Sequence, residues 1–332
     1  MPETLGPDKE CTRETSRFVT IRLSSIRSGA VADFCIYTLP EGQPYPVPCC
    51  DMNRPFPDDV REGLTARGIQ YVFIGSEHED QYRHYLERNL SDVLSDSSVA
   101  VGERSEILYY SAASIMEELI SNPHSNEVAS RSRILVENIC YFLLSEKSAL
   151  RHLLIATSRK YYVYTHCVNV SLLSIALAQR VGIECPEELC QLGKGAILHD
   201  LGKSLIDPEI LDRPGKLDDA QWNEIRKHPA LGHETLRAHG VTSPLALGVV
   251  RHHHEKLRGI GYPDGLVNGE ISPHARICAI ADVFDALTTK RAYSRALKTF
   301  TALRRMCREM SKDLDKDFLR AFVGMMGHPE AV

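Results

Sequence analysis

The stretch Ala196-Ile197-Leu198-His199-Asp200-Leu201-Gly202-Lys203 sets an imidazole beside a carboxylate in apolar sequence, with an ammonium three residues on. Both neighbours are metal-ligand types. Adjacent residues on a helix point about 100° apart, so His199 and Asp200 can share an ion only near a helix end or kink. Gly202 is read as the terminator that supplies such an end. Taken alone, the pair reads more naturally as a buried histidine and a C-terminal polar residue of an amphipathic helix.

The rest of the chain changes that balance. His166 lies in the helical pattern of Tyr161 to Val181, flanked by Val168, Val170 and Leu172. His228 precedes a proline in His228-Pro229-Ala230-Leu231-Gly232, and His253 and His254 fall in the run Arg251 to Glu255. Asp282 sits in the apolar segment Ile280 to Leu287, where an unpaired carboxylate is costly to bury unless a cation offsets the cost. Singly, each has a bland reading: a satisfied core histidine, a helix start, a solvated turn. Jointly they point to a metal centre, because His and Asp are scarce in apolar helices. Imidazoles and carboxylates without thiolates suit Fe, Mn, Co, Ni or Zn and do not describe a structural zinc finger. One carboxylate can bridge two ions about 3.5–4 Å apart, and a hydroxide between them attacks a phosphoester. Phosphodiester hydrolysis is the reaction class these ligands suggest.

The elements that carry them are mostly helical. From about Glu103 onward the apolar spacing predicts helices at Ile107 to Ile120, Ile134 to Leu144, Tyr161 to Val181, Glu187 to Leu201, Asp218 to Ala238, Pro244 to His254, Pro273 to Thr289, Phe300 to Met310 and Phe318 to Met325. Gly202 to Lys216 and Glu255 to Ser272 are the main irregular segments. Upstream, Phe18 to Leu23 and Val31 to Tyr37 read as strands, Gly42 to Pro57 as a Pro-rich loop with the incidental pair Cys49-Cys50, and Asp59 to Ala66 as a helix. Tyr71 to Ile74 follows as a strand, His78 to Leu90 as a helix, and Ser91 to Ser98 as a linker. The expected fold is α+β overall: a small α/β N-terminal domain over residues 1–95, a helical connector over 96–144 and an all-α bundle over 145–332. The N-terminal part carries no phosphate loop or nucleophile motif, which leaves a regulatory or interaction role.

With 332 residues, 43% hydrophobic and 25% charged, the chain has the composition of a soluble globular protein. A net charge of -5 argues against a DNA- or RNA-binding surface. No run approaches the about 18–20 apolar residues of a membrane span, and Met1 to Thr15 has no signal-peptide core. Ten cysteines without CxxC spacing suit a reduced, cytoplasmic protein.

The order His166, His199-Asp200-Leu201-Gly202-Lys203, His228-Pro229, His253-His254-Glu255, Gly261-Tyr262-Pro263 and Asp282 closely resembles the HD-GYP family of bacterial cyclic di-GMP phosphodiesterases, over roughly Ser145 to Met326. The resemblance implies an HD-type helical bundle and hydrolysis of cyclic di-GMP to pGpG, with GMP as a further product, at a two-metal site with a bridging hydroxide. The alternative is a catalytically weak cyclic di-GMP sensor or GGDEF-interacting scaffold. It implies that His166, His199, Asp200 and Asp282 hold one ion, with Asp200 bridging. His228 and His253 hold the second, extended by His254. Iron or manganese is the expected metal, with Ni, Co or Zn as further options. Asp200 and Lys203 take the catalytic roles, Lys203 around the bridging oxygen and the phosphate. Arg291 matches a residue near the ligand phosphate or guanine, and Gly261, Tyr262 and Pro263 match the signature loop linked to substrate access and to GGDEF-domain proteins. A homodimer is a further expectation.

Two departures stand out. Members with a third metal have a Glu one turn before the first His, where this chain has Tyr162, so two ions are expected. Arg258 stands where the family usually has Asp. Either another acidic residue re-anchors the loop, or Arg258 faces the anionic substrate; Tyr262 is a further expected substrate contact.

Overall fold

The computed structural model describes residues 17–122, 128–146, 148–156, 163–211, 213, 215–289 and 296–327. The chain divides into two compact units, Met1–Ile107 and Leu108–Val332.

The first unit holds strands β1 (Phe18–Arg22), β2 (Ile36–Thr38), β3 (Val47–Cys50) and β4 (Tyr71–Gly75), with helices α1 (Asp58–Ala66) and α2 (Glu79–Ser95). The sheet runs β1-β4-β2-β3 and every pairing is antiparallel. This corrects the expected α/β class of the domain to α+β, since α/β folds rest on parallel strands. β3 falls inside the segment expected to be a loop. Its Pro48 is tolerated because β3 is an edge strand, where a missing N–H breaks no ladder. Burial pushes the Cys49 thiol up to about 11, as an inert rather than reactive cysteine requires. The core packs Phe34 edge-on against Tyr82 and Tyr85 of α2. Ser91 to Ser95, expected in a linker, continues α2 and buries Val93 and Leu94.

The division between the units falls inside α3 (Val101–Ser121). There follow α4 (Val128–Ser145), α5 (Ala149–Ala156), α6 (Val163–Arg180), α7 (Pro186–Ile197), the short α8 (Pro208–Leu211), α9 (Asp219–Ile225), α10 (His228–Ala238), α11 (Pro244–His252), α12 (Pro273–Thr288), α13 (Thr299–Glu309) and α14 (Lys316–Gly327). The bundle centres on α6, which packs against α7, α12 and α14, while α7 also packs on α4 and α11. Its core is aliphatic, with Val170, Leu172, Ile175, Leu189, Leu192, Ile277 and Ile280 all buried.

The single helix expected over Asp218 to Ala238 is two. Asp218 and Gln221 form a capping box that starts α9. α10 starts afresh at His228, because Pro229 can take only the first turn of a helix. Among the described residues, no helix is long and apolar enough to cross a membrane. The described cysteines are all free thiols.

Candidate metal centre

Helix ends deliver most of the candidate ligands to one place. α7 stops at Ile197, earlier than expected, and a 3-10 turn follows over Leu201–Leu205, leaving His199 and Asp200 in the joint between them. The end that the His-Asp pair needs is therefore present, but Gly202 does not terminate the helix. Its role is close approach: a Cβ there would overlap the carbonyl of His228 and the amide nitrogen of Gly232. The turn can thus lie against the start of α10, which places His228 beside Asp200. His253 follows the last residue of α11, and His254 comes next. His228 opens α10, and His166 on α6 and Asp282 on α12 lie in helix interiors.

The ligand atoms fall into two sets, each with members within 4.8 Å of one another: His166, His199 and Asp282 in one, and Asp200, His228, His253 and His254 in the other. Asp200 links them. Its Oδ2 lies 3.4 Å from His199 Nε2 and 3.6 Å from His166 Nε2, and its Oδ1 lies 3.3 Å from His228 Nε2. His166, His199, Asp200, His228, His253 and Asp282 are all buried.

The hydrogen-bond pattern fits this cluster to cations. His199, His228 and His253 each donate from Nδ1 to the carbonyl three residues earlier, Ala196 and Ile225 at 2.7 Å and Val250 at 2.8 Å. His166 Nδ1 lies 2.7 Å from Asp285 Oδ2. Committing Nδ1 this way leaves each Nε2 lone pair facing the centre, the arrangement metal-binding histidines adopt. His228 Nε2 and His253 Nε2 then face each other across 3.3 Å, two lone pairs that repel unless a cation or proton lies between them. The Nε2 atoms of His166 and His199 and the Oδ1 of Asp200 are buried without a hydrogen-bond partner, an expense that a shared ion removes. The donor set of imidazoles and carboxylates suits divalent first-row metals.

Charge is distributed to match. Burial works against ionised Asp200, but Lys203 and His199 outweigh it and hold its pKa well below the carboxylate range. Burial also opposes ionised Asp282, and His166 and His254 overcome it in the same way. Burial and the surrounding imidazoles drive His253 well below its ordinary value. Burial lowers His254 to about 3 despite Asp282. Lys203 Nζ sits 2.6 Å from Asp200 Oδ2, which ties the ammonium to the shared carboxylate.

Beside the ligands lies the Gly261-Tyr262-Pro263 loop, with a cis bond before Pro263. Gly261 presses on the backbone of Glu255 and Lys256 so closely that a Cβ would overlap it. This brings the Tyr262 ring to 4.7 Å from that of His254, with the Arg226 guanidinium 5.8 Å from the Tyr262 ring centroid. Burial pushes the Tyr262 phenol up, so it remains a neutral hydroxyl. The buried Glu255 carboxylate anchors the loop by accepting the backbone N–H groups of Asp264, Gly265 and Leu266. Arg258 is exposed and donates from Nε to Asp313 Oδ1 at 2.6 Å. The acidic partner of Arg258 is therefore Asp313. Tyr162 and Arg291 lie outside the described residues.

Sequence reasoning missed Asp285 and Asn169. Asn169 Nδ2 donates to Asp285 Oδ1 at 2.7 Å, so both support His166. The signal was present in the spacing: Asp285 follows Asp282 by three residues on α12 and is a second carboxylate in an apolar helix.

Comparison with known proteins agrees with this geometry. A family model described as an HD domain matches residues 90–318. A cyclic di-GMP phosphodiesterase of Pseudomonas aeruginosa is 36% identical over 213 residues, 64% of this chain and 49% of that protein. A 3'3'-cGAMP-specific phosphodiesterase of Vibrio cholerae is 28% identical over 252 residues, 73% of this chain and 53% of that protein. The chain thus spans about half the length of these relatives. Among solved structures, an HDG"Y"P protein from Bdellovibrio bacteriovorus shares the fold, with a TM-score of 0.64 and 23% identity over 93% of this chain and 99% of that one. Over residues 90–318, and therefore over every ligand described above, this chain belongs to the HD domain family.

Proposed function

We propose that this protein is a phosphodiesterase that opens cyclic di-GMP to pGpG at a site holding two divalent ions, iron or manganese. The observation that carries the reading is the pair of ligand sets joined through Asp200, with His166 Nε2, His199 Nε2 and Asp200 Oδ1 buried without a hydrogen-bond partner. When bound, such ions clamp the oxygens of a phosphodiester and acidify water.

The chain's own residues do the rest. His166, His199 and Asp282 serve one ion, His228, His253 and His254 the other, and Asp200 both. Lys203 keeps a cation at the shared carboxylate, where it neutralises phosphate charge and can protonate a leaving ribose oxygen. Tyr262, whose ring lies 4.7 Å from that of His254, places an aromatic face suited to a nucleobase beside the ligands. The first unit is read as a regulatory or interaction module.

The test is anaerobic reconstitution with Fe(II) or Mn(II), followed by incubation with cyclic di-GMP and metal quantification. Two ions per chain and the appearance of pGpG are expected. Tight binding without product would support the sensor reading instead. Lys203→Ala should keep both ions and lose about 10²–10⁴-fold in kcat. A second substrate, 3'3'-cGAMP, belongs in the same assay, because a relative spanning 73% of the chain carries that specificity in its name.

A further inference from the structure

One of the anchored imidazoles differs from the rest. His199, His228 and His253 are fixed by carbonyls of their own backbone, three residues back. His166 is instead fixed by a side chain on another helix, Asp285 of α12, at 2.7 Å. The contact continues outward. Asp285 Oδ1 accepts Asn169 Nδ2 at 2.7 Å, and Asn169 Oδ1 accepts the Tyr109 hydroxyl at 3.2 Å. His166, Asn169 and Asp285 are buried. Tyr109 is half-buried on α3, and burial together with the Asp285 charge keeps its phenol protonated and able to donate.

We propose that Tyr109, Asn169 and Asp285 are positioning residues for the ion that His166 serves, and that α3 thereby sets how firmly this one position holds its metal. The proposal rests on the two-metal reading above. An imidazole ligand is directional, and the carboxylate on its far nitrogen fixes both tautomer and ring plane. Asp285 is held in turn by the Asn169 amide, and the Tyr109 donor fixes which way that amide faces. Tyr109 comes two residues after Ile107, where the first unit ends within the same helix. A displacement of α3 that withdraws the phenol loosens His166. It leaves His228 and His253 untouched, because their anchors are local.

The experiment is titration of metal-free protein with Mn(II), followed by calorimetry and by the electron paramagnetic resonance of free Mn(II), for wild type, Tyr109→Phe, Asn169→Ala and Asp285→Asn. Wild type should take up two ions. Asp285→Asn and Asn169→Ala should weaken one position by about 10–100-fold, and Tyr109→Phe by about 3–10-fold, while the second position keeps its affinity. The retained position also reports that each variant is folded. Unchanged affinity at both positions in Asp285→Asn and Asn169→Ala would overturn the proposal. Equal weakening of both positions would do so too, since it marks a merely structural role. Wild type that shows the asymmetry but produces no pGpG removes the phosphodiesterase reading and leaves the positioning chain intact. Wild type that takes up no Mn(II) removes both.

Discussion

The two ligand sets use the same residue types but stabilise them differently. In the set of His228 and His253, each ring leans on a carbonyl of its own chain, so local backbone geometry fixes it wherever the helix end is fixed. In the other set His199 is held in the same way, but His166 leans on Asp285, and Asp282 lies 3.2 Å from its Nε2. Burial and the neighbouring imidazoles keep His253 neutral, whereas Asp282 and Asp285 outweigh burial and make His166 basic. The protein thus presents one position with little proton competition and one where the ion must displace a proton. The contrast suggests a fixed half and an adjustable half, with Asp200 common to both.

The largest effect expected from breaking this arrangement is at the shared residue. Asp200→Ala removes the carboxylate that lies 3.3 Å from His228 Nε2 and 3.4 Å from His199 Nε2, so on the proposed two-ion reading both ions should be lost and pGpG production should fall by about 10³-fold or more. Two bound ions in that variant, measured by metal analysis, would mean the sets are independent. Single-set changes come next. His166→Ala and His253→Ala should each cost one ion, with activity falling about 10²–10³-fold because the phosphodiester is then clamped from one side only. Equal loss of both ions in either variant would erase the distinction.

Protons offer a gentler probe. Burial disfavours charged His166, yet Asp282 and Asp285 outweigh it and raise its pKa to about 9. A raised folded-state pKa stabilises the metal-free fold fully below the ordinary value of 6.5, and that contribution fades as the pH rises through about 9. Metal uptake has the opposite slope. Affinity at the His166 position should rise with pH up to about 9, by at most about tenfold per unit, with one proton released per ion near neutrality. His253 and His254 are already neutral there and release none. Calorimetry of Mn(II) uptake in buffers of different ionisation enthalpy separates the two positions, and identical proton release at both would contradict the contrast.

Much of the site was legible because scarce residue types recur at helix ends in a fixed order. His166, His199, Asp200, His228, His253, His254 and Asp282 all fall within the two sets. What sequence could not give was orientation. Nothing in the run around Gly202 separates a helix terminator from a glycine pressed against the start of another helix, because both demand the same missing Cβ. The chain Asp285–Asn169–Tyr109 spans three helices, and Tyr109 lies 60 residues from Asn169, so no local pattern joins them. In the first unit, β3 was hidden by Pro48, a residue that propensity assigns to loops although an edge strand accepts it. The helical part was easier, since apolar spacing and capping signals agree there, as at Asp218 and Pro229.

The smallest effects are expected in the Gly-Tyr-Pro loop, and they also separate anchor from substrate contact. Glu255 is buried and accepts three backbone N–H groups, two of them at 3.0 Å and that of Asp264 at 2.7 Å. Glu255→Gln replaces one acceptor oxygen with a donor that faces N–H groups, at a cost of about 1–3 kcal/mol, and should loosen the loop that carries Tyr262. The expected signature is a raised KM for cyclic di-GMP with both ions retained. Arg258→Ala removes only an exposed pair with Asp313, and such pairs are weakly stabilising. It should leave KM and kcat near wild type. A large rise in KM for Arg258→Ala, exceeding that of Glu255→Gln, would instead place the guanidinium against the substrate phosphate and reverse the reading of this departure.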